Sequence, residues 1–244
     1  MLKFRILGVA MSDVEEIAKA VQKASDLGVK AIETTEKVGG FFAQVFKEPI
    51  TEVAGILTDR LKFARWKRLV EMQSQVNDIL SARHVSDTRS VPPKLALPLL
   101  EEASLEDDKN LQDLWNRLLV NAMDPSFSGD LRTGFVEMIK GLSALDARIL
   151  EFFFQVLKSE GRLSPLEAVI QYSLKKEQIM QALSINEADY QVSAFNLMRI
   201  QCIAPAVLKT SGISFGDEAT TIYKGIDAVT LTPLGVKFAQ ACME

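Results

Sequence analysis

The chain has 244 residues, 48% of them hydrophobic, and a net charge of -4. That composition builds a core and excludes a disordered chain, and the length fits one or two domains. The mild acidity argues against general nucleic-acid affinity but leaves room for a local basic patch. Two cysteines, Cys202 and Cys242, are too few for a disulfide scaffold, and a single histidine, His84, removes the usual metal-ligand and general-base constellations.

The opening MLKFRILGVAMSD has a positive start and a short apolar run interrupted by Gly8, with Asp13 and Glu15 close behind. That is a poor signal peptide, and no stretch approaches the roughly 18 uncharged apolar residues of a membrane span. A cytoplasmic protein is the expectation. Ser12 and Glu15 form a capping box for a helix whose face carries Val14, Ile17, Ala18, Val21 and Ala24. A second periodic run holds Val29 and Ile32, and Gly39-Gly40 breaks it. Phe41, Phe42, Val45 and Phe46 follow, Pro49 restarts the helix, and Ile50, Val53, Ala54, Leu57 and Leu61 continue an apolar stripe. Arg60, Lys62, Arg65, Lys67 and Arg68 then crowd together around Phe63 and Trp66, and the helix runs on through Val70, Val76 and Leu80.

Ala82 to Pro93 reads as a linker, because Asp87, Ser90 and the Pro92-Pro93 pair disfavour helix. Leu95 to Ala103 is a short apolar helix with Pro98 in its first turn. Ser104 to Asp124 carries the clearest local signal. Ser104 is placed as N-cap, with Asp107 completing a weak capping box and Glu106, Asp107 and Asp108 in the first turn. Leu111, Leu114, Trp115, Leu118, Leu119 and Ala122 recur at helical spacing, and Pro125 stops a helix roughly 28 Å long. Phe135, Val136, Ile139 and Leu142 mark another helix ending near Gly141.

From Leu142 the pattern changes. Ser143 caps a helix over Leu145–Lys158, which Gly161 ends. Pro165 to Tyr172 is helix or loop, Lys175 to Leu183 a short helix, and Glu187 to Ile200 a helix built on Tyr190, Ala194, Leu197 and Met198. Strands follow at Ile203–Leu208 and Ala228–Thr232, then a helix over Pro233–Met243. Three helices, a two-stranded hairpin and a helix are the order of a winged-helix module. The fold class is therefore mainly α, an N-terminal helical domain followed by a winged-helix-like α+β domain.

Three stretches resemble the bacterial Abi-alpha family of abortive-infection proteins: Lys37 to Arg68, Pro92 to Pro125, and GLSALDARIL followed late by LTPLGVKFAQAC. The most specific part is the acidic cap followed by L-W-x-x-L-L-x-N-A. Together with the winged-helix order of the later elements, the resemblance divides the chain into an arm over residues 1–36, a helical core over 37–142 and the winged-helix-like domain over 143–244. It implies a role in defence against phage, by halting or killing the infected cell, and transfers no active-site motif.

Three classes of site follow. Arg60, Lys62, Arg65, Trp66, Lys67 and Arg68, behind a phenylalanine-rich stripe, have the composition of an interfacial helix on an anionic membrane. The competing readings are a core helix with a solvated basic edge, and nucleic acid. The acidic run Glu101, Glu102, Glu106, Asp107, Asp108 has the composition of a metal site or of paired acid–base carboxylates, but its place at a helix N-terminus favours helix capping and a partner for that edge. Trp115 with Asn116 and Asn121 could bind a ligand, but Trp115 falls on the leucine face and reads as core; Cys202 and Cys242 read as buried thiols, and His84 as surface. No catalytic, cofactor or metal residue is expected. The preferred function is a non-enzymatic antiphage protein that contacts an unknown protein partner or a second copy of itself, cytoplasmic or peripheral at the inner membrane. The alternatives are a winged-helix DNA-binding regulator, and a scaffold or antitoxin-like partner.

Overall fold

The computed structural model describes residues 60–162, 166–206 and 226–244, apart from the side chains of 60–63, 66, 167, 168 and 170. The helices expected before residue 60 lie outside them. By contact the chain divides into Met1–Ser90 and Val91–Glu244. In the first unit, helix α1 spans Arg60–Ala82 and buries Val70, Met72, Gln73, Val76 and Leu80.

The second unit is mainly helical. It comprises α2 (Pro93–Ala103), α3 (Lys109–Met123), α4 (Gly134–Lys140), α5 (Ala144–Ser159), α6 (Leu166–Gln171), β1 (Ser173–Lys175), α7 (Lys176–Leu183), α8 (Glu187–Arg199), β2 (Ile203–Pro205), β3 (Ala228–Leu231) and α9 (Pro233–Met243). Helix α2 begins at Pro93, where proline's missing N–H costs nothing and its φ is preset. Pro98 therefore falls inside the helix and not in its first turn.

Helix α3 is the centre of this unit, but it starts later than the sequence suggests. Ser104 ends α2: its N–H donates to the Leu100 carbonyl and its Oγ to the Glu101 carbonyl at 2.6 Å. Asp108 is the N-cap of α3, its Oδ1 accepting from the N–H of Asn110 and Leu111 at 2.8 and 3.1 Å. Glu106 and Asp107 precede the helix, and Glu106 Oε1 accepts from the N–H of Asp107 and Asp108. With Asp108 as the cap, α3 is about 22 Å long. Leu111, Leu114, Trp115, Leu118, Leu119 and Ala122 are buried, as their spacing requires. So are Asn116, Val120, Asn121 and Met123, so the C-terminal half is covered on all sides.

The cover on one side is α9. Asn121 Nδ2 donates to the Ala241 carbonyl at 2.8 Å, and Arg117 Nη1 to that of Met243 at 3.2 Å. Phe135 of α4 meets Phe238 of α9 edge-on, centroids 5.6 Å apart. Thr232 caps α9, its Oγ1 accepting from Gly235 N–H at 2.9 Å.

The sheet has one strand more than the expected hairpin. Its order is β1-β3-β2, antiparallel throughout, with Leu174 opposite Val229 and Ala204 opposite Thr230. β1 is only Ser-Leu-Lys, too short for alternation to announce it. Pro205 is tolerated because β2 is an edge strand.

Candidate functional site

Helix α8 presents the least expected surface. Asn186 caps it, accepting from Asp189 N–H at 2.9 Å. Tyr190, Ser193, Ala194 and Leu197 form its buried side. Opposite them, Ala188, Val192, Phe195 and Arg199 follow at the four- and three-residue steps of one stripe, and all are exposed. Val192 is 72% exposed and Phe195 50%, the two most exposed large apolar side chains of α8. Carboxylates stand at the N-terminal end, Glu187 and Asp189, and a cation, Arg199, at the other.

The stripe is held on a rigid base. Asp146, buried in the first turn of α5, accepts Ser143 N–H on Oδ2 at 2.7 Å and completes a capping box with the Ser143 hydroxyl. The same Oδ2 accepts from Asn196 Nδ2 of α8 at 2.7 Å, and that nitrogen also reaches the Gly141 carbonyl at 2.8 Å. One carboxylate thus fixes the start of α5 and the flank of α8. At the acidic end Lys176 lies 2.8 Å from Glu187 and 3.3 Å from Asp227. Those two hydrogen bonds hold its pKa above the usual lysine value.

The helical spacing of Tyr190, Ala194, Leu197 and Met198 marks only the inward side of α8. The signal for the other side was present in Val192 and Phe195, two large apolar residues among the expected polar positions.

The basic segment opens α1. Lys67 is exposed and lies 3.5 Å from Glu71, while Arg65 and Arg68 are half-buried and engaged. Arg60, Lys62 and Trp66 lie on the same helix, with side chains outside the described ones. Of the acidic run, Asp108 caps α3 and Glu102 pairs with Lys140 at 2.6 Å. Among the described residues no group of acidic, cysteine or histidine side chains is placed to hold a metal, and no helix is long and apolar enough to cross a membrane. His84 is exposed just after α1 with φ 58°, where it stops the helix.

A cleft of about 590 Å³ opens between the start of α3 and α5, lined by Lys109, Asp113, Arg148, Glu151 and Phe152 among others. Three of these four charges are engaged locally. Asp113 holds Arg117 at 2.8 Å, Glu151 accepts from Gln155, and Arg148 donates to the Leu183 carbonyl.

The family profile for abortive infection alpha matches residues 65–242. The chain belongs to the abortive infection alpha family. The match begins inside α1 and ends at Cys242, so it takes in the α8 stripe and its Asp146 base. No curated protein and no solved structure matches this abortive infection alpha chain.

The family match closes on Cys242, one of two buried thiols. Burial, with a smaller contribution from Asp146, pushes the Cys202 thiol up to about 12, and burial raises Cys242 well above its usual value. The fold holds these protons where the unfolded chain releases them. Their contribution to stability is therefore complete below about pH 9 and is lost as pH rises from there toward 12. Iodoacetamide at about pH 8 is expected to leave both thiols unlabelled in the folded protein and to alkylate both in guanidinium. The unfolding midpoint should drop from about pH 8 to 10, and less so in Cys202→Ala/Cys242→Ala. Rapid labelling of the folded protein would refute the burial.

Proposed function

We propose that this abortive infection alpha protein defends bacteria against phage without catalysing a reaction, by binding a protein partner through its C-terminal half. Family membership supports the defence role. The observation that carries the mode of action is the exposed Val192 and Phe195 pair on α8, a helix anchored so firmly that its outward face is a fixed surface. We assign the region from α5 to β3 to the winged-helix class. In support, two helices, β1, two helices, β2 and β3 follow in that order, with β3 between the other strands. In such modules α8 occupies the position that enters a DNA groove. Glu187 and Asp189 at its N-terminus oppose phosphate, and its outward apolar pair suits protein. A DNA-binding regulator is accordingly the second reading, favoured by the strand order alone.

The test is plating efficiency of phage on cells carrying the wild-type gene, Phe195→Glu or no gene. Protection by wild type and its loss in Phe195→Glu, at equal protein level, is the expected result. Full protection by Phe195→Glu removes the α8 contact, and retarded migration of upstream DNA at physiological salt moves the assignment to the regulator.

Peripheral attachment to an anionic membrane is a further part of the proposal. It is supported by Arg60, Lys62, Arg65, Trp66, Lys67 and Arg68 on one helix, with Lys67 exposed. Flotation with anionic liposomes at low salt should carry wild type upward and leave Arg65→Glu/Lys67→Glu/Arg68→Glu below, the difference vanishing in high salt. Equal recovery of both in the soluble fraction ends the membrane idea.

A further inference from the structure

The outward face of α8 is built to complement itself. Ala188, Val192, Phe195 and Arg199 run along one stripe, carboxylates flank its first residue, and its last is a cation. Set a second α8 against it antiparallel, with a twofold axis midway between Val192 and Phe195. Residue pairs then sum to one constant. Phe195 falls opposite Val192 of the second copy, a large ring against a small branched side chain. Arg199 falls opposite Ala188, where a methyl group leaves room for a guanidinium between Glu187 and Asp189. The twofold axis makes every contact twice, as a closed isologous dimer requires. A parallel arrangement would set Arg199 on Arg199 and carboxylate on carboxylate.

The charges are placed to take part. Arg199 donates to Asn196 Oδ1 from Nε and Nη2 at 2.9 and 2.8 Å and reaches the Gly141 carbonyl at 3.5 Å, all neutral acceptors. Glu187 spends one oxygen on Lys176, and Asp189 accepts from Asn186 Nδ2 at 2.7 Å. Each carboxylate keeps acceptor capacity for a guanidinium. All three side chains are exposed.

We propose that two copies of this chain pair antiparallel through α8, Phe195 packing on Val192 and Arg199 seated between Glu187 and Asp189 of the other copy. This rests on the reading of α8 as a protein-contact surface and names its occupant. A helix about 20 Å long buries less than the roughly 800 Å² per partner of a standard interface, so the dimer is weak and concentration-dependent. A weak dimer of this kind is assembled or separated by modest changes in local concentration.

Sedimentation equilibrium of the full chain, from micromolar to several hundred micromolar, tests the pairing. Wild type should show a reversible monomer–dimer equilibrium. Arg199→Glu alone, and Glu187→Gln/Asp189→Lys alone, should each weaken it at least about tenfold, because like charges then meet at both ends. Mixing the two variants should restore association to within about threefold of wild type, since each end then joins opposite charges. Recovery on mixing also proves that both variants are folded. A wild type that stays monomeric throughout, charge variants that dimerise normally, or a mixture that stays apart each overturns the pairing. Loss of phage protection in Phe195→Glu with a monomeric wild type would overturn self-pairing and leave the contact surface standing. Protection by Phe195→Glu with a monomeric wild type would remove both.

Discussion

Gly235→Ala is expected to cost about 3 kcal/mol of unfolding free energy, far more than its single methyl group suggests. Gly235 sits in the first turn of α9, where its N–H donates to the Thr232 hydroxyl. A Cβ at this position would lie 1.9 Å from the Cys202 carbonyl oxygen and 2.8 Å from its carbon. The obstacle is backbone, and that backbone is itself tied down. The Cys202 carbonyl accepts Thr232 N–H at 3.0 Å, the Thr232 hydroxyl donates to the Gln201 carbonyl, and Cys202 N–H donates to Leu197 O at 2.9 Å. Accommodating the methyl group means separating the start of α9 from the corner between α8 and β2. Gly134→Ala is the control, because a Cβ there meets nothing within 4 Å, and it should be neutral or stabilising by up to about 1 kcal/mol. Denaturant unfolding of both variants decides the matter. A Gly235→Ala midpoint equal to that of Gly134→Ala would mean that α9 does not dock as described.

Trp115→Ala is expected to cost about 3–5 kcal/mol, whereas Trp115→Phe should cost less than about 2. Trp115 is 2% exposed in the middle of α3, so truncation to alanine opens a large cavity at the centre of the unit. The indole Nε1 is buried with no hydrogen-bond acceptor among the described residues. Phenylalanine therefore gives up ring volume while also removing a donor that burial leaves unsatisfied, and the two effects offset each other. Equal losses for Trp115→Phe and Trp115→Ala would show that the indole nitrogen is bonded after all. Both variants are read best by guanidinium unfolding followed by circular dichroism, since removing Trp115 also changes the fluorescence.

Local chemistry made several elements legible in the residues. Pro233 and the threonine before it set the start of α9, whose expected span agrees with the structure. Ser143 and Asp146 set that of α5, and Gly161, at φ 66°, ended it. The leucine and tryptophan spacing of α3 put Leu114, Trp115 and Leu118 where the structure buries them, at 3%, 2% and 0% exposure. Competing cues leave the start of α3 open. Ser104 and Asp108 both suit an N-cap, and only the path of the chain out of α2 gives the role to Asp108. Three other helices stop on a left-handed residue that is not glycine, at His84, Ser184 and Gln201, and there no composition signal marks the stop.

The residues by themselves determined where helices run, which stripe of each is apolar and which family the chain resembles. These depend on contacts within a turn or two, which neighbouring side chains dictate. Only the tertiary structure decided that the C-terminal half of α3 is enclosed, with Asn121 bonded to a carbonyl 120 residues further on, and that β1 joins β3 from the far side. It also decided that Val192 and Phe195 are left in solvent while Tyr190 and Leu197 are covered. Helical spacing assigns apolar residues to faces without saying which face will find a complementary surface. That choice is made by shape and hydrogen bonding between segments far apart in the chain, here by Asp146 and Gly141 holding Asn196.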